Sequence, residues 1–131
     1  MPLLERNNSA LIVIDIQENF LSKLPLADRE PLVERIAWII NVAKALKIPI
    51  LATAEDVSHG VDMLPRLKAL LPEGQTVFNK MVFSLYGQKD IRDALAALKR
   101  KDLVLVGQET DVCVAQSAVD LVNAGYRVWG A

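Results

Sequence analysis

The fold is decided by a short run near the amino terminus, Leu11-Ile12-Val13-Ile14, which ends directly at Asp15. The β-branched residues of this run favour a strand, and its lack of polar alternation is typical of a strand buried on both faces. Four comparable apolar runs follow it, at residues 48–52, 76–78, 103–106 and 126–129. The sequence therefore predicts five strands.

Segments with helical spacing of apolar residues separate these strands. One covers residues 32–43, with Pro31 suited to its first turn, and another covers residues 91–98. Asp62 is placed to cap a short helix that carries Leu67 and Leu70. A last helix, opened by Asp111, is expected to turn three residues inward, namely Ala115, Val119 and Val122.

Continuous apolar strands that alternate with amphipathic helices predict a mostly parallel sheet covered on both faces. Right-handed crossovers make this a doubly wound, Rossmann-like, three-layer α/β/α fold. Ligands of such folds bind beyond the carboxyl ends of the strands. The residues that follow the strands are therefore the candidates for a functional site.

Composition and charge exclude several classes of function. The 131 residues suffice for one domain and one core. With 15 Lys and Arg against 16 Asp and Glu, the chain has no basic field, so we expect neither nucleic acid nor a membrane as partner. The apolar runs are too short to cross a bilayer, and residues 1–6 do not resemble a signal peptide. A single cysteine predicts a reducing, cytoplasmic setting.

Three strand ends deliver side chains that can do chemistry, namely Asp15, Lys80 and Cys113. Each has an ordinary interpretation by itself, as a turn residue, a solvated lysine or a small buried thiol. Together, at one rim of a sheet, they supply a base, a cation and a nucleophile for acyl transfer.

Cys113 has the strongest physical case among the three. It falls in the first turn of the helix opened by Asp111, where the positive end of the helix dipole favours a thiolate. A neighbouring Lys80 would lower the pKa of the thiol further, and Asp15 would accept its proton. Backbone N–H groups of residues 108–113 are placed to hold a developing oxyanion.

Three segments of the chain carry a more specific pattern. They are IVIDIQENF at 12–20, NKMVFS at 79–84 and GQETDVCV at 107–114. In this order they resemble the motifs of the isochorismatase-like cysteine hydrolases. The resemblance covers essentially the whole chain, as one domain at residues 1–131.

The resemblance implies that Asp15 is the base, Lys80 its charged partner and Cys113 the nucleophile of a thioester-like intermediate. It also implies a cis peptide bond near Gln108–Glu109 and an oxyanion hole formed by the backbone N–H groups of Glu109 and Cys113. The residues suggested for substrate binding, for which ordinary packing is the alternative interpretation, are Gln17, Phe20, Phe83 and Tyr86.

The sequence departs from two groups of these relatives. Nicotinamidases carry an Asp-x-His metal motif with further histidines, whereas this chain has one histidine, His59, so we expect no metal and no cofactor. True isochorismatases lack the cysteine, so Cys113 favours hydrolysis of an amide or of a related C–N or C–X bond. The pattern fits the metal-independent branch whose substrates are unassigned.

Relatives of this family continue past the fifth strand with a further strand and helix, and we expect this sequence to lack that unit. A truncated domain of this kind would leave the fifth strand as an exposed edge, which favours a homo-oligomer. We therefore expect a cytoplasmic hydrolase of a small amide-like molecule.

The alternative is a catalytically silent domain that binds a metabolite or a protein partner. A receiver domain fits poorly, because it needs an acidic pair after the first strand. A nucleotide-binding enzyme would need glycine-rich phosphate loops, which the sequence lacks.

Overall fold

Five parallel strands form one sheet in the computed structural model, which describes residues 4–55, 62–107 and 113–130. The strand order is β3-β2-β1-β4-β5, and every neighbouring pair is parallel. The predicted doubly wound parallel sheet is thereby confirmed. The strands are β1 (Ser9–Ile14), β2 (Ile50–Glu55), β3 (Val77–Lys80), β4 (Asp102–Gly107) and β5 (Arg127–Gly130).

Helices cover both faces of this sheet and make it three-layered. The described α-helices are α1 (Glu18–Leu21), α2 (Leu26–Ala45), α3 (Pro65–Lys68), α4 (Lys89–Leu98) and α5 (Ala115–Asn123), with short 3₁₀ turns at Arg6–Asn8 and Leu85–Gly87. Within the described ranges, no helix is both long and apolar enough to cross a membrane.

The buried core is divided by the sheet into two clusters, because successive side chains of β1 point to opposite faces. On one face Leu11 and Val13 pack with residues of α2 and α3. On the other face Ile12 and Ile14 pack with residues of α4 and α5. All six residues of β1 are buried, which places the carboxyl end of this central strand, and Asp15 after it, deep in the molecule.

Two helix boundaries differ from the sequence prediction. Helix α2 begins at Leu26, so Pro31 lies inside it rather than in its first turn. Helix α3 is preceded by Leu64 rather than capped by Asp62, and it ends before Leu70. The Asp62 carboxylate instead accepts a hydrogen bond from the N–H of Met63 at 2.6 Å, which satisfies a local donor just ahead of the helix.

The buried face of α5 was also predicted wrongly. Ala115, Val119 and Val122 are exposed, and the buried residues are Ser117 and Leu121. The hydroxyl of Ser117 accepts a hydrogen bond from the N–H of Leu85 at 3.0 Å, so a polar side chain is satisfied in the core. Because the buried face of α5 includes a serine, the spacing of apolar residues alone does not identify that face.

Candidate active site

Asp15 lies directly after the central strand and is fully buried. Its φ of 53° is in the left-handed region, which aspartate tolerates better than most residues. Its N–H donates to the carbonyl oxygen of Thr53 at 3.1 Å, and its Oδ1 accepts a hydrogen bond from Thr53 Oγ1 at 2.9 Å. The neighbouring strand β2 thus fixes both the backbone and the carboxylate of Asp15.

Lys80 is the last residue of β3, and none of its surface is exposed. Its Nζ lies 3.1 Å from Oδ2 of Asp15 and 3.5 Å from Sγ of Cys113. It also donates to the carbonyl oxygens of Val82 and of Phe83, the latter at 3.1 Å. A buried ammonium needs such a set of partners, and here they hold it between the carboxylate and the sulfur.

Cys113 is 1% exposed and lies with Val114 in a wide, π-type turn that leads into α5. The structure thus brings together the three side chains that the strand ends predicted. Gln108, Glu109 and Asp111 lie outside the described residues, as does the predicted cis peptide bond. The oxyanion hole formed by Glu109 and Cys113 therefore stays a prediction.

The environment of Cys113 favours the neutral thiol. Burial, followed by the negative charge of Asp15, raises its pKa to about 11, although the Lys80 ammonium opposes this shift. The sequence prediction of a thiol with a lowered pKa is therefore wrong. It considered the cation beside the sulfur but not the loss of solvent around it, which disfavours the charged form. Such a thiol needs a base to take its proton when it attacks.

The carboxylate of Asp15 is suited to that task. Burial raises its pKa above the usual 3.8, while the charge of Lys80 and hydrogen bonds from Cys113, Lys80 and Thr53 work in the opposite direction. A base with a raised pKa is better matched to a thiol proton than an exposed carboxylate is.

Two further residues at this rim, Thr53 and Glu55, were missed from the sequence. Strand β2 was predicted to end at Ala52, whereas it continues to Glu55. The Oε2 atom of Glu55 lies 3.9 Å from Sγ of Cys113. The same rule of strand ends would have found both residues if the predicted strand had been extended by three residues, to Glu55.

Asp15, Glu55 and Cys113 each offer one donor atom, and these atoms lie within 4.8 Å of one another. This is the spacing of a metal-binding group. However, the Lys80 ammonium already lies beside two of the three donors. A divalent ion there would face strong repulsion from it.

The predicted substrate-binding residues have different surroundings. Gln17 is fully buried, and its side-chain amide accepts from the N–H of Glu55 at 2.7 Å and donates to the carbonyl oxygen of Glu55 at 3.0 Å. Gln17 therefore positions the end of β2. Phe83 is 62% exposed and reaches the site through its carbonyl oxygen. Phe20 and Tyr86 pack under the cations of Lys23 and Arg92, at 5.2 Å and 5.9 Å from the ring centres.

Comparison with known proteins identifies the family of this chain. The isochorismatase domain matches residues 9–131. Among curated proteins, the chain is 25% identical to the probable hydrolase YcaC of Escherichia coli K12 over 127 residues, covering 96% of this chain and 61% of that protein. The chain thus spans about three fifths of the length of this relative.

Solved structures share the fold. The E. coli YcaC structure, described as an octameric hydrolase of unknown specificity, matches with a TM-score of 0.89 at 23% identity, covering 100% of this chain and 66% of that one. YcaC from Pseudomonas aeruginosa, solved with hexane-2,5-diol and covalent acrylamide, matches with a TM-score of 0.88 at 22% identity, covering 98% and 64%.

The MAR1 ribonuclease of Caenorhabditis elegans is 31% identical to the chain, with a TM-score of 0.87 and coverage of 99% of this chain and 65% of that one. The family match covers most of the chain, and the parallel sheet carries Asp15, Lys80 and Cys113 at one rim. This chain belongs to the isochorismatase family.

Proposed function

We propose that this chain is a hydrolase that cleaves a C–N bond of a small amide-like substrate, with Cys113 as nucleophile, Asp15 as base and Lys80 as its charged partner. One observation carries the proposal. The Lys80 ammonium lies 3.1 Å from the carboxylate and 3.5 Å from the sulfur. A nucleophile, a base and a cation that meet at the carboxyl ends of strands form a constellation suited to acyl transfer.

The first half of the reaction transfers the acyl group to sulfur. As Sγ of Cys113 bonds to the carbonyl carbon, its proton passes to the Asp15 carboxylate and negative charge develops on the carbonyl oxygen. Asp15 then gives this proton to the leaving nitrogen, the C–N bond breaks, and a thioester and a free amine remain. The backbone N–H groups of Glu109 and Cys113 are the predicted donors to the oxyanion.

The second half releases the acid. Asp15, now ionised again, takes a proton from water as the water oxygen bonds to the thioester carbon. The C–S bond then breaks, the sulfur recovers the proton through Asp15, and a carboxylic acid leaves. The Lys80 ammonium beside the carboxylate limits the energetic cost of ionising a buried acid.

A small amide is the substrate class that these observations support. The P. aeruginosa neighbour was solved with covalent acrylamide, a small amide, which favours compounds of that size for a first screen. The name ribonuclease belongs to the C. elegans neighbour. With 15 basic and 16 acidic side chains in this chain, we expect no comparable affinity for RNA phosphates.

Ammonia release from a panel of small primary amides and ureido compounds tests the proposal. We expect turnover by the native chain and its loss in Cys113→Ser and Asp15→Asn. Asp93→Asn, which changes an exposed aspartate of α4, is the matched control and should keep full turnover. Ammonia release that persists in Cys113→Ser would contradict the nucleophile. No turnover of any amide would favour the silent, ligand-binding alternative.

We also propose that the protein is a homo-oligomer. The E. coli YcaC structure is described as octameric. Light scattering behind a sizing column tests this, and the mass of one 14.5 kDa chain would contradict it.

A further inference from the structure

Glu55 is a charged residue of the site, and the proposed reaction assigns no role to its side chain. It is the last residue of β2 and is half-buried. Its Oε2 lies 3.9 Å from the nucleophilic sulfur of Cys113. A group this close to the sulfur is within reach of a molecule that approaches the sulfur from the same side.

Both backbone polar groups of Glu55 are bound by one buried side chain. The side-chain amide of the fully buried Gln17 bonds both to its N–H, at 2.7 Å, and to its carbonyl oxygen, at 3.0 Å. Such a two-sided contact occupies both polar groups of one residue and fixes the end of the strand. The carboxylate therefore starts from a defined position, as precise recognition requires.

The charge of Glu55 is not neutralised as that of Asp15 is. Lys80 pairs with Asp15, and within the described ranges the Glu55 carboxylate forms no ion pair. Around the sulfur the described residues thus place two carboxylates and one ammonium. The negative charge of Glu55 reaches the sulfur, since it is one of the causes that raise the pKa of Cys113.

A carbonyl carbon poised for attack lies about 3 Å from the sulfur. A substituent of that carbon on the Glu55 side of the sulfur therefore comes within hydrogen-bond reach of the carboxylate, which is 3.9 Å from the same sulfur. A carboxylate only accepts hydrogen bonds. It stabilises an N–H donor or a cation at that place and repels an anion.

We propose that Glu55 is a specificity-determining residue. Its carboxylate accepts a hydrogen bond from an N–H group of the substrate next to the reacting carbon, and so selects neutral or cationic amide and ureido compounds over compounds with a carboxylate at that place. This inference deepens the proposed function and rests on it for the identity of the natural reaction. Its test uses the reactivity of the sulfur alone.

Iodoacetamide and iodoacetate form the matched pair of reagents for this test. In both reactions a bond forms between sulfur and carbon, iodide leaves with the electron pair of the broken C–I bond, and the thiol proton passes to a base. The reagents differ in presenting an amide or a carboxylate beside the reacting carbon. Cys113 is the only cysteine in the chain, so the adduct mass reports on this site alone.

The measured quantity is the ratio of the two alkylation rate constants, iodoacetamide over iodoacetate. We expect Glu55→Gln to lower this ratio about tenfold, which corresponds to about 1.4 kcal/mol. A change in thiol pKa alters both rates together and cancels in the ratio. Glu34→Gln, which changes an exposed glutamate of α2, is the matched control and should leave the ratio unchanged. A ratio in Glu55→Gln within twofold of the native value would overturn the proposal.

A second measurement uses the native chain and does not depend on the folding of a variant. Propionamide should protect Cys113 from iodoacetamide at concentrations at least tenfold lower than propionate requires. Equal protection by the two compounds would overturn the proposal. If Cys113 prefers amide over carboxylate compounds in a chain that hydrolyses no amide, the proposed function is contradicted but the role of Glu55 stands. Amide turnover without this preference would support the proposed function and overturn the role of Glu55.

Discussion

Glu55 and Lys80 are register partners in the parallel pairing of β2 with β3, yet within the described structure their charged groups form no ion pair. The ammonium of Lys80 lies 3.1 Å from Asp15 instead, while the carboxylate of Glu55 approaches Cys113. The two carboxylates near the sulfur therefore differ in their electrostatic environment. This difference is the basis for assigning proton transfer to Asp15 and recognition to Glu55.

The buried pair of Lys80 and Asp15 leads to a prediction about stability. Lys80→Met should lower the free energy of unfolding by about 3 kcal/mol, because it leaves a buried carboxylate without its cation. Adding Asp15→Asn should restore much of this loss, since the uncompensated charge is then removed. Urea unfolding of the native chain, both single variants and the double variant at pH 7 measures the coupling.

Lys89→Met is the control for this cycle. Lys89 pairs with Asp93 at 2.7 Å, but its side chain is 80% exposed, so we expect a change below about 1 kcal/mol. If the loss of unfolding free energy in the Lys80→Met, Asp15→Asn double variant equals the sum of the losses in the two single variants, the two residues are not coupled and the prediction is wrong.

The raised pKa of Cys113 predicts how its reactivity depends on pH. The rate of alkylation by iodoacetamide should rise with a midpoint near the thiol pKa of about 11. Asp15→Asn should move this midpoint to lower pH, because the charge of Asp15 is the second cause of the shift. A native midpoint below 9.0, the pKa of an ordinary thiol, would contradict a site that favours the neutral thiol.

The same shift predicts a loss of stability at alkaline pH. The folded protein keeps the thiol proton to a higher pH than the unfolded chain does. This contribution is fully present below pH 9 and is lost as the pH rises from 9.0, the pKa of an ordinary thiol, to about 11. The native chain should lose on the order of 2 kcal/mol more than Cys113→Ser across that window. Equal losses of unfolding free energy in the native chain and in Cys113→Ser would contradict this prediction.

The sequence was sufficient to predict the five strands along the chain, four of the five described α-helices (α1 was missed) and the meeting of Asp15, Lys80 and Cys113. These follow from periodicity and from the rule that parallel strands end at one rim. The raised pKa of Cys113 could not be predicted from the sequence, because the shift depends on how completely the folded chain excludes water from the sulfur. Glu55 was missed because nothing in the local pattern Ala52-Thr53-Ala54 marks where a strand with small side chains ends.

Thr53 provides a prediction about the acid limb of activity. Thr53→Val keeps the shape of the side chain but removes the hydrogen bond to Asp15 Oδ1. That bond lowers the pKa of Asp15, so its loss should raise this pKa further. Asp15 must be ionised to accept the thiol proton, and kcat/KM for a hydrolysed amide should therefore begin to fall at a higher pH.

The carbon-13 shift of the Asp15 carboxyl measures the same titration without a substrate, with Asp15→Asn to assign the signal. Thr76→Val, a matched change at an exposed threonine, should leave the titration unchanged. An Asp15 titration that does not move in Thr53→Val would show that the hydroxyl acts on geometry alone.

Gly107 leads to the last prediction, which concerns the join between β4 and the central strand. Gly107 is paired with Ile14, the residue before Asp15. A Cβ atom at position 107 would lie 2.2 Å from the carbonyl oxygen of Ile14 and 2.7 Å from its Cβ. Neither atom is the end of a flexible side chain, so the two strand ends would have to separate.

Gly107→Ala should therefore lower the free energy of unfolding by about 3 kcal/mol, measured by urea unfolding. Gly130→Ala is the matched control at the end of β5, where an added Cβ meets nothing within 4 Å. Its effect on the free energy of unfolding should stay within about 0.5 kcal/mol.

Because β4 leads towards Cys113, separated strand ends should also weaken the contact between Cys113 and Lys80. Loss of that cation would raise the midpoint of Cys113 alkylation further. A stable Gly107→Ala variant with an unchanged midpoint would mean that the strand ends can move apart without disturbing the site.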